Sequence, residues 1–402
     1  MSEPRAPRGA APVTVQLVLL SLGSFLVGTN GFIIAGLLPD IAEGLDVGTS
    51  GVALSITVYA AVVAVLAPTV ATVFSRVSRT TLIVAGMLLV GVGTALTAFA
   101  GDLGVFIAGR ALAGVGGAAI IPTATAAAAS MVPITRRGRA IAIVTLGFTL
   151  STTIGSPLGT AIAHVGGWRL PLAGVALLAA ASALVVGVFV RGVPIAPPMS
   201  LRRRLAVLAE PRILVTLLST AFTVAGFNGA YIYSSLFTTE ATGGSGVALA
   251  GLLLMFGVGG ILGNQVAGRF TDRFGNRVVA SILMGINLTA LTVMPLVEPW
   301  YGALVAVFVV WGVAAFGTGI PVQHRLVAID PDRSAVALSW YSTAVYIGIA
   351  FAPLVGGVAL EVAGPSEVPH AAALSVLLAF VLFQSGFLGR RRPLEPGARS
   401  AA

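Results

Sequence analysis

Residues 103–131 read LGVFIAGRALAGVGGAAIIPTATAAAASM. A helix of about 20 apolar residues crosses a bilayer, and this stretch is longer, with Arg110 as its only charge. A guanidinium keeps its proton, and placing it in hydrocarbon costs about 3 kcal/mol or more. Arg110 therefore needs a partner within the membrane: a carboxylate, a substrate or trapped water.

The rest of the chain repeats this pattern. Of 402 residues, 57% are hydrophobic and 9% charged, with a mean hydropathy of +1.00. A soluble domain carries about 25% charged residues, so the chain reads as an all-α polytopic membrane protein. Runs long enough to span lie near 13–38, 51–74, 80–100, 103–131, 139–163, 168–191, 212–238, 246–268, 277–297, 299–323, 335–361 and 370–389. Transmembrane β-strands would be about 10 residues of alternating pattern, which these are not. The 50 glycines suit close helix packing in lipid, where small residues let backbones approach. There is no cysteine, hence no disulfide and no thiolate chemistry.

All 23 basic residues are arginine. Apart from Arg110 and Arg169 they fall in every second gap between the apolar runs, while Glu43, Asp46, Asp102, Glu240, Glu298, Glu361 and Glu367 occupy the other gaps. By the positive-inside rule the arginine-bearing gaps and both termini are cytoplasmic. The net charge of +9 is then topological, and no nucleic-acid partner is expected. The run at 13–38 is too long for a signal peptide and reads as a retained first span.

The expected organisation is a cytoplasmic tail at 1–12, a six-helix half at 13–191, a basic cytoplasmic loop at 192–211, a second half at 212–389 and a tail at 390–402. In the loop, Met199, Leu201, Leu205 and Leu208 stand at helical spacing around Arg202 to Arg204. That pattern predicts a short amphipathic helix on the inner leaflet, or a plain solvated linker. The halves look like a repeat. A shift of 196 residues lays Phe74 on Phe270, Arg137 on Arg333 and Pro157 on Pro353; a shift of 198 lays Asn30–Gly31 on Asn228–Gly229. Duplication of this kind builds many transporters.

Gly268-Arg-Phe-Thr-Asp272-Arg273-Phe-Gly275-Asn-Arg277 follows the eighth run. It resembles the loop signature of the major facilitator superfamily, G-x-x-x-D-R-x-G-x-R, at every fixed position. Within that superfamily the chain is most similar to the twelve-span drug:proton antiporter branch, which also holds sugar and purine-nucleoside exporters. Four stretches carry this: Leu38-Pro39-Asp40-Ile41-Ala42; Arg110 with Gly114; Gly147 through Gly155, Pro157 and Gly159; and Gly167-Trp168-Arg169. Two places depart from the pattern. The loop after the second span, VFSRVSRTT, lacks the acid and the glycine, and Ser156 and Thr160 replace glycines in the fifth span.

The resemblance implies two pseudo-symmetric six-helix halves, alternating access, and a cavity lined by spans 1, 4, 7 and 10. Proton coupling is expected of Asp40 and Arg110, at similar depth if spans 1 and 4 adjoin; alternatively Asp40 caps a turn while Arg110 braces carbonyls. Asn30, Tyr59, Phe227, Asn228, Tyr231, Trp311, Tyr341 and Tyr346 are expected to line a substrate cavity or to pack. Gly147, Gly155, Pro157, Gly159 and Pro353 are expected to bend and hinge spans 5 and 11, with Gly259 and Gly263 a close-packing pair. Gly268, Asp272, Arg273, Gly275 and Arg277 are expected to gate from the cytoplasmic loop. No Walker loop and no metal-binding or hydrolytic cluster is present, so no enzyme activity, metal or cofactor is expected. The implied function is export of a small neutral or cationic amphipathic, drug-like compound in exchange for protons, by a monomer in the bacterial inner (plasma) membrane. The alternatives are sugar or purine-nucleoside efflux, proton-coupled uptake, or a receptor.

Overall fold

The computed structural model describes residues 11–74, 77–133, 136–191, 193 and 204–387. Among these, twelve helices are long and apolar enough to cross a membrane. In the first half they are span 1 (Val13–Gly36), span 2 (Thr49–Val70), span 3 (Arg79–Ala98), span 4 (Leu103–Ser130), span 5 (Arg137–Gly166) and span 6 (Arg169–Phe189). The second half holds span 7 (Pro211–Ile232), span 8 (Gly246–Phe274), span 9 (Asn276–Val297), span 10 (Tyr301–Ile329), span 11 (Ser334–Ala363) and span 12 (Pro365–Ser385). The two bundle ends are named here by their charge, as the Arg-rich face and the acid-bearing face.

Capping explains several starts. Asp102 accepts from the Val105 amide at 2.9 Å to begin span 4, and Ser78 and Ser245 do the same for spans 3 and 8. Span 1 stops before the expected residue 38 because Pro39 lacks an N–H to continue it. The chain restarts as a short helix, Leu38–Gly44, with Pro39 in its first turn. Span 7 likewise ends at Ile232, short of 238, and continues as the single turns Ser234–Phe237 and Thr239–Thr242.

The repeat is visible in the packing. Span 2 packs on span 11 and span 8 packs on span 5, and exchanging the two halves converts one interface into the other. Inside each half, close approach rests on glycine. A Cβ on Gly93 or Gly109 would overlap the facing backbone between spans 3 and 4. Gly259 and Gly263 lie in the same way against Val309 and Val313 of span 10.

Three features differ from expectation. Span 5 is not one α-helix: Ser151–Gly155 forms a π-turn, a device that re-aims side chains within a helix. In the central loop, Met199, Leu201, Arg202 and Arg203 lie outside the described residues, as do 1–10 and 388–402. The described remainder buries Val207 against Ile213, Leu217, Leu326 and Val336, while Leu205 is exposed. This segment docks on the bundle instead of lying on lipid.

Arg204 completes that docking. Its guanidinium donates to the Pro68 carbonyl of span 2 at 3.1 Å, and its own carbonyl accepts from the Trp340 indole of span 11 at 3.0 Å. The loop is thus a strap across the two halves at the Arg-rich face.

Candidate functional site

Arg110 is fully buried, eight residues into span 4. Its partner is Asn30 of span 1: one guanidinium nitrogen donates to the Asn30 backbone oxygen at 2.6 Å and also to the side-chain oxygen. Asn30 is oriented in turn by donating to Thr94 of span 3, whose hydroxyl donates to the Val90 carbonyl. The guanidinium lies 4.4 Å from the centre of the Tyr59 ring, on span 2. A desolvated cation over an aromatic face gains about 2 kcal/mol. Four spans therefore converge on one charge, and among the described residues its Nε and Nη2 have no hydrogen-bond partner.

The expected Asp40–Arg110 pair is absent from this conformation. Arg110 is level with Asn30, and six helical residues, about 9 Å of rise, still separate Asn30 from the end of span 1. Asp40 lies beyond that end, in the short Leu38–Gly44 helix, and opens into a cleft at the acid-bearing face with Glu43, His164 and Trp168. Partial desolvation there holds its carboxyl above the usual aspartate value; Glu43 adds to the rise and His164 opposes it.

Between the halves lies a narrow cavity with about 340 Å3 of empty space, its gaps leaving room for about one water. Span 1 supplies Gly28, Gly31 and Phe32, and span 2 supplies Ile56 and Tyr59. Phe148 comes from span 5, Asn228 and Ile232 from span 7, Tyr346 and Ile349 from span 11. Of the expected lining residues, Tyr59, Asn228 and Tyr346 are present. Spans 4 and 10, expected to line it, supply none. Gly114 and Gly117 draw span 4 tightly against Tyr59 and Val62, so Tyr59 stands between Arg110 and the cavity.

The other expected lining residues sit elsewhere. Asn30 is spent on Arg110. Phe227, Tyr231 and Trp311 belong to an aromatic cluster around Phe256, with Phe256 and Trp311 centred 4.3 Å apart. Tyr231 also crosses between halves, donating to Ser156 at 3.0 Å. Tyr341 packs near the Arg-rich face with Trp340 and Leu326. Phe32 and Phe148 were missed. They are mid-span aromatics of the same kind as the expected lining residues, and Phe32 is edge-on to both Phe148 and Tyr231.

The span 5 glycines seat that helix on span 1. A Cβ on Gly147, Gly155 or Gly159 would overlap Ser21, Thr29 or Ile33. Pro157 opens the α-helical segment that follows the π-turn. Pro353 presents its carbonyl to the Tyr233 hydroxyl at 3.1 Å, where Gly356 and Gly357 leave space for the ring.

At the loop signature, Gly275 has φ 81°, a left-handed backbone that ends span 8 and allows span 9 to begin at once. Arg277 donates to Gln384 of span 12 at 3.0 Å, and Arg273 lies over Phe274. Asp272 is exposed, and among the described residues it forms no ion pair. Gly268 faces open space.

The halves are closed together toward the acid-bearing face. Thr57 donates to the Ala350 carbonyl at 2.8 Å, Ser50 donates to Glu361 at 2.7 Å, and His164 lies against Gly246. As it stands the cavity at this twofold-related junction is nearly filled by its lining, and reopening the junction on one side or the other would widen and expose it.

The family model described as Major Facilitator Superfamily matches residues 20–328 and 216–402. The chain is 30% identical over 368 residues to the uncharacterized MFS-type transporter YbcL of Bacillus subtilis (strain 168), covering 92% of this chain and 94% of that one. It is 29% identical over 387 residues to the inner membrane transport protein YdhP of Escherichia coli (strain K12), covering 95% and 98%. Its fold is similar to a crystal structure of a bacterial homolog to the human lysosomal transporter Spinster, in inward-facing and occupied conformation. That likeness has TM-score 0.71 at 16% identity and covers 94% of this chain and 97% of the other. With twelve spans, two exchange-related halves and a central cavity between them, the chain belongs to the major facilitator superfamily and is a multi-pass membrane transporter.

Proposed function

We propose that this transporter exports a small amphipathic compound across the bacterial inner membrane in exchange for protons. The observation that carries the reading is the cavity shared by spans 1, 2, 5, 7 and 11, enclosed between halves that meet through exchange-related interfaces. In this reading the Arg-rich face is cytoplasmic, and the halves rock about the cavity to expose it to each side in turn. Asp40 takes up the proton at the mouth of the acid-bearing face. Arg110, tied to Asn30, holds spans 1, 2, 3 and 4 as one body during the movement. The span 5 π-turn and Pro353 supply the flexible points. The largely apolar lining supports an amphipathic substrate over a sugar or nucleoside, which would leave many hydroxyls unpaired.

The test is a growth and metabolite-export screen in a pump-deleted bacterial host, with and without a proton uncoupler. The reading expects at least one compound to be retained less when the chain is expressed, and the difference to vanish with the uncoupler. Export that persists at full rate in uncoupled cells would remove the proton from the account.

A further inference from the structure

The charges of this chain are distributed one-sidedly with respect to the cavity. All 14 acidic residues lie outside the spans or in their terminal turns, with Asp272, Glu361 and Glu367 the deepest along the helices. The one charge in the middle of the bundle is Arg110, behind the Tyr59 ring. The polar side chains of the lining are few. Tyr59 spends its hydroxyl on the Val27 carbonyl at 3.0 Å. Asn228 donates one of its two amide N–H groups to the Val224 carbonyl at 3.0 Å, which leaves its second N–H for an acceptor. Tyr346 is 6% exposed, and its hydroxyl has no hydrogen-bond partner among the described residues.

A buried hydroxyl without a partner is costly, and a bound ligand can satisfy it. Arg110 has two further donor nitrogens unused, and among the described residues no carboxylate pairs with it. A cation entering the cavity would meet an unscreened positive charge across one ring, with no carboxylate to compensate its lost hydration. A carbonyl, phenolate or carboxylate oxygen would meet the Tyr346 hydroxyl and a favourable field. Phe32 and Phe148 offer faces and edges to a flat apolar body.

We propose that the cavity selects amphipathic molecules that carry an acceptor oxygen and are neutral or singly anionic, and that it rejects organic cations. The inference rests on the transport reading above for the cavity's role. It keeps the neutral class expected from the sequence, replaces the cationic class and adds anions.

Three probes with one ring system separate the classes: 2-naphthoate, 2-naphthamide and 2-naphthylmethylammonium. Equilibrium dialysis against the purified full chain in detergent, corrected for uptake by empty micelles, gives their affinities. The expected order is naphthoate at least equal to naphthamide, with the ammonium weaker by about tenfold or more. Tyr346→Phe keeps the shape and should weaken the first two by about fivefold without affecting the third. Arg110→Gln, if it folds, should level naphthoate with the ammonium. Equal or tighter binding of the ammonium, no binding of any probe above the micelle background, or an unchanged Tyr346→Phe would each overturn the proposal. Its failure is distinguishable from failure of the transport reading. A chain that exports only cations in the uncoupler-sensitive screen keeps that function and loses this specificity.

Discussion

Arg110 of span 4 donates from a single guanidinium nitrogen to both the backbone and the side-chain oxygen of Asn30 on span 1. The backbone oxygen is available for this because span 1 is held beside span 4 at that level. The side-chain oxygen is aimed by the bond from Asn30 to Thr94. Replacing Asn30 by leucine leaves the buried charge one acceptor and should destabilise the protein by about 1–3 kcal/mol. Asn30→Asp supplies a full counter-charge, and its folding cost should be smaller, since a satisfied buried pair comes out near neutral. Thermal unfolding in detergent at one scan rate checks this: Asn30→Leu should fall by several degrees and Asn30→Asp by less. Equal unfolding of the wild type and Asn30→Leu would show that the side-chain contact contributes nothing.

Span 5 should tolerate no bulk at Gly147 or Gly155, where it meets span 1. Gly147→Val and Gly155→Val force a side chain into span 1, and overpacking costs about 1–3 kcal/mol or more. Both should lower the yield of monodisperse protein. Gly268→Ala, at a position open to space, should leave yield unchanged. Size-exclusion profiles of the three variants decide the matter, and normal profiles for both valine variants would contradict the close packing of spans 1 and 5.

Asp40 gives the pH dependence a definite sign. Its carboxyl is raised above the ordinary aspartate value by partial desolvation and by Glu43, against His164. It therefore stays protonated to higher pH than a free aspartate and loses the proton as pH rises through the raised value. Export should increase as the acid-bearing side is acidified through that window, and Asp40→Asn should flatten the profile. Glu43→Gln should move the midpoint to lower pH and His164→Ala to higher pH. Opposite movements, or an unaltered profile in Asp40→Asn, would assign the proton to another group.

The Arg204 strap should favour closure at the Arg-rich face. Arg204→Gln together with Trp340→Phe removes the bonds to Pro68 and from the indole without emptying the pocket around Val207. Spin labels at Phe74→Cys and Asp332→Cys, placed in a chain free of native cysteine, should then report a larger share of long distances. An unchanged distribution would make the strap a passive tether.

The fold was legible because hydropathy and arginine placement report length and side directly, and neither depends on side-chain detail. The repeat was also legible, in pairs such as Pro157 with Pro353. The partner of Arg110 was not. Depth along two helices says which residues share a level, but the exchange of Asp40 for Asn30 depends on span 1 ending at Gly36. Pro39 marks that break, and reading it as a restart of the helix would have placed Asp40 outside. The lining set was half legible. Aromatics at mid-span are common to cavity and core, and only the packing separates Phe148, on the cavity, from Trp311, against Phe256. The π-turn has no sequence signal beyond the Ser151–Thr153 run before Gly155 and Pro157.

Alternation of access is the central claim, and the distance between Ser50 and Glu361 tests it most directly. Their side chains meet at 2.7 Å where spans 2 and 11 close the acid-bearing face. Spin labels at Ser50→Cys and Glu361→Cys should give a short population and, on changing pH or adding 2-naphthoate, a second, longer one. The Phe74→Cys and Asp332→Cys pair should shift the opposite way under the same conditions. A single fixed distance at both ends under every condition would contradict the account.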